Sequence, residues 1–472
     1  RHPPPPALLL GGRDCVRAPA AARGGEGMGA GAGAGAGRGR GAARAPAPPR
    51  LRSDVPGTWA HDTMSRRVRE EILGAQVLAP HAAQLGPAQA ARLEGLGREL
   101  AEHAALRHLE ADGGADLEDW RAIMEPHVAA GETWLTAPWI VAEFYLYRRI
   151  LEALRYFGDG QNEGGGFLGD PFAAQKAAGL EAARDAVEAL AGRLGAAGLA
   201  GGAGPPGGEW GPLQALAVLT ALWGNRMDLS LWQVGESGDS ASGRRASGAL
   251  AEGREMLLAD DSAAVLAAIA GAQAAGGRRM DLVVDNAGFE LVTDLCLAEV
   301  LLASGAASRV VLHMKAHPTF VSDAMERDLW QHLESLEAGG AGGHPASAAM
   351  AARWRALLEA GSLEPREDFF WAQPTPFQDM PERIRRDLAG SALVFVKGDA
   401  NYRRLLDERA WPLDTPFADV ASGWPAPVCA LRTLKAELGC GMPPEACARA
   451  RAEDPDWLVS GRYGVLQFRP AP

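Results

Sequence analysis

From about Met280 onward, short apolar runs alternate with helical patterns, and this rhythm limits the fold more than any other feature of the chain. "MDLVVD" precedes "FELVTDLCLAEVLLAS", "SRVVLHMK" precedes "DAMERDLWQHLESLE", and "SALVFVKGD" precedes "NYRRLLDERA". "APVCALRTL" leads into a further helix or turn, and "YGVLQF" reads as a final edge strand. Apolar strands with helices between them predict a mainly parallel sheet covered on both faces, within an α/β region spanning residues 210–470.

The chain before this region reads differently. Over residues 51–195 apolar residues recur at three- and four-residue spacing, as in "RRVREEILGAQVLAPHAAQL", which predicts an all-α N-terminal region. "WLTAPWIVAEFYLYRRILEAL" is a long, strongly apolar helix with Glu143 at its middle, read as a core helix whose polar residues cap or pair. The Gly/Pro cluster at residues 196–210 reads as a linker or exposed loop, and residues 235–255 hold a polar insertion. Residues 1–50 are Gly/Ala/Pro/Arg low complexity, a composition that cannot build a packed core. They are expected to be a disordered, dispensable tail, so that a chain starting near Leu51 keeps its kinetics and melting temperature. Their arginines and scarce acids resemble an organellar transit peptide, although residues 1–52 contain no serine.

Composition excludes several classes. The 472 residues carry a net charge of −12 with no long basic stripe beyond the N-terminus, so nucleic acid is not an expected partner. The five cysteines show no CxxC spacing, which argues for a reducing compartment and a cytoplasmic location, and against a zinc site or disulfide framework. No apolar run approaches the roughly 18 residues a membrane helix needs, so no membrane association is expected.

Each of the four inner strands ends in polar residues: Asp285 and Asn286; Lys315, His317 and then Asp323; Lys397, Asp399 and Asn401; Arg432, Thr433 and Lys435. In an open parallel sheet the carboxyl ends share one edge, where ligands bind. Any one of these residues alone would read as a helix cap or a surface lysine; four strand ends together read as a site. Two aspartates and an asparagine are hard oxygen ligands, suited to Mg²⁺, Mn²⁺ or similar ions. The cations Lys315, Lys397, Arg432 and Lys435 would repel such an ion unless an anion lay between, and a phosphate satisfies both groups. Metal-activated water is then the expected attacking group. Asp285 as a covalent nucleophile lacks support, because residue 287 is Ala and no second acid follows two residues on. There is no GxxxxGK[ST], no GxGxxG after a strand, no GxSxG and no HExxH.

Of the last two strand-end positions, Lys435 is expected to face the site. Arg432, still within the strand, is expected to be a structural partner for an acid such as Asp399.

Five ordered motifs now carry a resemblance: "LWGNRMDLSL", "DLVVDNAGFELVTDL", "HMKAHPTFVSDAM", "FVKGDANYRRLL" and "LRTLKAEL". Over about residues 51–468 the chain resembles the metal-dependent damage-control phosphatases, once catalogued as a domain of unknown function. The Arg-Thr-x-Lys of Arg432 to Lys435 resembles the sugar-phosphate subgroup. The resemblance implies a three-layer α/β/α catalytic domain after a helical N-terminal region. It implies a divalent ion, Mn²⁺ or Ni²⁺ foremost, with Co²⁺ or Mg²⁺ as alternatives, on Asp285, Asn286 and Asp323. Catalysis would fall to Asp285, Asp323 and Lys435. Substrate contacts would come from those residues, from Asn286, from Lys397, Gly398, Asp399, Ala400 and Asn401, and from Asn225, Asp228 and Glu290. The implied substrates are small phosphorylated sugars such as fructose 1-phosphate, with action also on fructose 6-phosphate, in the removal of reactive metabolites. The sequence departs from the family pattern at "NRMD", where a lysine and a small residue are usual, and at Ala400, where Leu is usual. A competing activity linked with the family is S-adenosylmethionine-dependent methylation of protein glutamate carboxyls. It has no need of a hard-oxygen triad and normally presents a Gly-rich loop after the first strand. A silent binding protein is disfavoured by the presence of both aspartates and both key lysines.

Overall fold

A computed structural model describes residues 47–158, 166–199, 204–205, 208–224 and 253–471. Asn225, Asp228 and most of the 235–255 insertion lie outside the described residues. The strands are β1 (Leu257–Asp260), β2 (Arg278–Val283), β3 (Ala307–Lys315), β4 (Leu363–Asp368), β5 (Val394–Lys397), β6 (Val428–Thr433) and β7 (Gly464–Arg469). They form one sheet in the order β1-β7-β6-β5-β2-β3-β4. The five strands from β6 to β4 are mutually parallel, whereas β7 pairs antiparallel with β6 and parallel with β1.

The sheet is covered on both faces, as its apolar strands require. Alternate residues along one strand enter different clusters: Val394 and Val396 of β5 join one, Phe395 the other. In β6, Val428 and Ala430 face one way, Cys429 and Leu431 the other. One face packs against helices such as Phe289–Ala303 and Pro345–Glu359. The opposite face shares a continuous apolar cluster with the N-terminal helices, including Trp139–Leu154 and the π-helical segment Thr63–Leu78. That shared core brings the helical N-terminal region against the sheet.

Two local expectations change. "YGVLQF" is not an edge strand, because β7 lies between β1 and β6. The edges are β1 and β4, neither of which stands out in the sequence: β1 has four residues, and β4 carries Pro365 and several charges, as edge strands do. The packed chain also begins before Leu51. The Ala410 N–H bonds to Pro49 O at 3.0 Å, Arg409 Nη1 to Pro48 O at 2.7 Å, and Arg50 pairs with Asp407 at 2.7 Å.

Among the described residues no helix is long and apolar enough to cross a membrane. Four cysteines, Cys296, Cys429, Cys440 and Cys447, are free and buried.

Candidate active site

The segments leaving β2 and β3 are stitched together by their backbones. Ala324 N–H donates to Asp285 O at 2.8 Å and Ala287 N–H to Ser322 O at 2.7 Å, which makes Asn286 and Asp323 an antiparallel bridge pair. Residues 38 positions apart, Asp285 and Asp323, therefore open onto one cleft of about 380 Å³. The turn into Asp323 is strained: Phe320 and Val321 have φ of 46° and 64°, in the left-handed region that non-glycine residues avoid. Phe320 is held there by ring contacts with Phe144 (centroids 4.7 Å apart) and Tyr147 (5.0 Å) on helix Trp139–Leu154.

Asn286 is fixed by three bonds. Its Nδ2 donates to Asp285 Oδ2 and to Glu290 Oε2, both at 2.8 Å, and its Oδ1 accepts from Ser322 Oγ at 2.6 Å. Lys315 Nζ meets Asp323 Oδ2 at 3.0 Å as an ion pair, without hydrogen-bond alignment. Asp285 Oδ1 is buried and has no hydrogen-bond donor. Burial, then the charges of Asp323 and Glu290, push the Asp285 carboxyl well above the usual carboxylate range. Burial also raises Asp323, against the pull of Lys315. A buried acceptor with no donor, beside a second carboxylate and an amide, fits a hard divalent cation, whose charge offsets the carboxylates' mutual repulsion.

Gly398 shows how closely β5 approaches. Its φ is +81°, and a Cβ there would lie 1.9 Å from Asp285 Oδ2. Glycine is thus required both by the conformation and by the space.

The four cations divide. Lys435 is exposed and lines the cleft, together with Asp399 and Ala400. Lys315, Lys397 and Arg432 are 1%, 0% and 1% exposed, so the reading of Lys315 and Lys397 as cations facing a phosphate is corrected, while Arg432 is buried as a structural partner would be. Lys397 sits beneath the cleft between Asp294 (2.8 Å) and Glu290 (3.0 Å) on helix Phe289–Ala303. Burial favours the neutral amine, but Asp294 and Glu290 outweigh it and hold Lys397 charged. Asn401 is likewise buried, donating to the carbonyls of Val284 (3.2 Å) and Lys397 (3.0 Å). The structure therefore places Lys397, Asn401 and Glu290 as supports under Asn286, outside the cleft wall where substrate contacts were expected. Arg432 pairs with Asp399 at 2.7 Å. His317 is buried, 3.6 Å from Asp116, and Thr433 is the buried last residue of β6.

Much of the remaining cleft wall comes from residues the sequence did not assign to a site: Trp59, Arg67, Trp139, Tyr147, Phe320, Ser322, Arg403, and Glu143, which read as a core-helix residue. Glu143 does pair, accepting from Arg403 at 2.7 Å, but the pair stands at the cleft. The one signal available was a carboxylate in mid-helix with a tyrosine four residues on, on the same face.

A second cluster, Asp281, His313 and Asp387, gathers possible ligand atoms within 4.8 Å of one another. Arg279 bonds both carboxylates, to Asp387 at 2.6 Å, and His313 Nε2 and Ser391 also bond Asp281. A guanidinium already stands where a cation would, so this cluster reads as a buried ion network.

A mainly parallel α/β sheet with two carboxylates, an amide and a lysine gathered at its carboxyl edge has the groups a metal-dependent phosphatase uses. Residues 65–449 match the damage-control phosphatase ARMT1-like domain, and the chain belongs to that family. It is 32% identical to the damage-control phosphatase ARMT1 of Danio rerio over 372 residues, 76% of this chain and 80% of that protein. With the human ARMT1 it shares 30% identity over 349 residues, 71% of this chain and 75% of that one. A solved DUF89 family protein from Pyrococcus horikoshii aligns with 69% of the chain and 86% of its own, at 17% identity and a TM-score of 0.38.

Proposed function

We propose that the chain hydrolyses the phosphomonoesters of small sugars, fructose 1-phosphate foremost and fructose 6-phosphate as well, as a metabolite damage-control enzyme. The observation that carries this is the unpartnered, buried Asp285 Oδ1 opening beside Asp323 onto a cleft whose rim holds Lys435. Asp285, Asn286 and Asp323 would hold a divalent ion, Mn²⁺ or Ni²⁺ by preference. When bound, the ion supplies charge to the phosphoryl oxygens and lowers the pKa of water.

The chain's own residues supply the rest. Glu290 and Ser322 fix which end of the Asn286 amide faces Asp285. Lys435 offers a cation to the phosphate from the rim. Asp399 orders the start of the Lys435 segment by accepting its backbone N–H at 3.3 Å. Trp59, Tyr147 and Phe320 give apolar surface to a sugar ring, while Arg67, Glu143 and Arg403 offer polar partners to hydroxyls. No feature of this cleft favours the methyltransferase alternative.

The test is a phosphate-release screen over sugar phosphates, with and without added Mn²⁺ or Ni²⁺. Metal-stimulated release from fructose 1-phosphate above other esters is expected. Equal or greater release from nucleotides would refute the substrate class.

A further inference from the structure

Phosphoryl transfer places the attacking and departing oxygens roughly in line, and loose transition states put charge on the departing one. Asp285, Asn286 and Asp323 come from the sheet edge, and helix Trp139–Leu154 adds Trp139, Glu143 and Tyr147 to the same cleft. Tyr147 stands four residues after Glu143. Its ring is held by Phe320, with centroids 5.0 Å apart, and by Phe172 at 6.0 Å. Its residue is 4% exposed and lines the cleft, and among the described residues no protein group bonds its hydroxyl, which is not one of the fully buried unpartnered atoms and so stays open to a ligand in the cleft.

The cleft's other hydroxyls, and Glu143, are engaged. Ser322 Oγ donates to Asn286 at 2.6 Å, Glu143 accepts from Arg403 at 2.7 Å, and Thr63 Oγ1 accepts from Arg67 at 3.5 Å. We propose that Tyr147 is a catalytic residue whose hydroxyl donates its proton to the departing sugar oxygen, an assignment that rests on the sugar-phosphate reading above. Water adds to phosphorus, and the P–O bond to the sugar breaks with its electron pair on the sugar oxygen. That oxygen takes the Tyr147 proton, and a proton from the attacking water restores the phenol. The net products are the free sugar and inorganic phosphate. The phenol is protonated at neutral pH, as any tyrosine is, and burial followed by the charges of Glu143 and Asp323 raises it further.

The experiment compares Tyr147→Phe with the unaltered full chain, both loaded with Mn²⁺, on fructose 1-phosphate and on p-nitrophenyl phosphate. Nitrophenolate departs without a proton, whereas a sugar alkoxide needs one. The variant should lose about 10²-fold in kcat/KM on fructose 1-phosphate and no more than about threefold on the aryl ester. Equal losses on both would make Tyr147 merely structural, and no loss on fructose 1-phosphate would also overturn the assignment.

If the variant melts early, a leaving-group series on the unaltered protein decides. A weak dependence of kcat/KM on leaving-group pKa supports proton donation, and a steep one contradicts it. Turnover of the aryl ester with none of any sugar phosphate would defeat the substrate reading itself. Normal sugar-phosphate turnover with an unselective Tyr147→Phe would defeat the Tyr147 assignment alone.

Discussion

Arg432 Nε donates to Asp399 Oδ1 at 2.7 Å, and the same oxygen accepts the Lys435 backbone N–H at 3.3 Å. Arg432 also bonds the carbonyls of Leu438 (2.8 Å) and Ala436 (3.1 Å) and lies over the Tyr402 ring. A buried arginine thus anchors both sides of the loop that presents Lys435. Lys435→Ala should cost about 2–4 kcal/mol in kcat/KM, the range for losing one preorganised charge-stabilising donor, and leave metal content and melting temperature unchanged. Arg432→Ala should lower both kcat/KM and the melting temperature, since it takes the buried guanidinium away from Asp399 and from two carbonyls. Metal loss in Lys435→Ala would show that this lysine does not act on substrate.

Gly398→Ala should damage the metal site from outside it. The added methyl would sit within 1.9 Å of Asp285 Oδ2, and φ of +81° is costly for alanine by about 1–3 kcal/mol. The expected result is reduced stability together with weakened Mn²⁺ binding by calorimetry. Unchanged metal affinity would mean that Asp285 does not need its present position.

The stability that His332 contributes should fall on mild acidification. Gly288 N–H donates to His332 Nε2 at 2.7 Å, which requires the neutral ring. Burial lowers His332 to about 4, and His317 as well. Between pH 6.5 and 4 the unfolded chain binds protons at these rings and the folded chain does not, so their contribution is full above about 6.5 and declines as pH falls toward 4, while the raised Asp285 and Asp323 carboxyls act in the opposite sense. The urea-midpoint difference between the unaltered chain and His332→Asn should shrink as pH falls over this range. A difference independent of pH from 7 to 4.5 would contradict the assignment.

How much of this could be read from sequence depended on whether residue type alone carries direction. β2, β3, β5 and β6 were legible because apolar runs alternated with helical ones, and their polar ends had to share an edge. Lys315 and Lys397 were misplaced because a lysine at a strand end has reach in several directions. Each turned to a buried carboxylate, Asp323 and Asp294, that pairing patterns do not reveal. The cleft's helical wall was hidden because Trp139–Leu154 is buried along its whole length, so Glu143 and Tyr147 read as core. The long-range bridge between Asn286 and Asp323 has no local signal at all.

The segment before residue 54 should matter for stability. Leu51 N–H bonds Glu408 O and Trp139 N–H bonds Leu51 O, each at 2.9 Å, tying the segment to two distant parts of the chain. A chain starting at Asp54 should lose about 2–4 kcal/mol relative to one starting at Ala47, from several lost hydrogen bonds and the Arg50–Asp407 pair. Identical urea midpoints for the two chains would show that the segment contributes nothing.

The central claim is that Asp285, Asn286 and Asp323 hold the catalytic ion. Asp323→Ala is a poor probe, because it strands the buried Lys315 without its partner. Asp285→Asn is better: it keeps the shape, and Asp285 Oδ1 has no donor to lose. The decisive measurement is Mn²⁺ titration of chelated protein, following bound metal and fructose 1-phosphate hydrolysis together, for the unaltered chain and Asp285→Asn. The account predicts that activity rises with one bound ion per chain, and that Asp285→Asn remains folded, binds Mn²⁺ far more weakly and loses activity by orders of magnitude. Full activity after exhaustive chelation, or undiminished Mn²⁺ binding by Asp285→Asn, would contradict it.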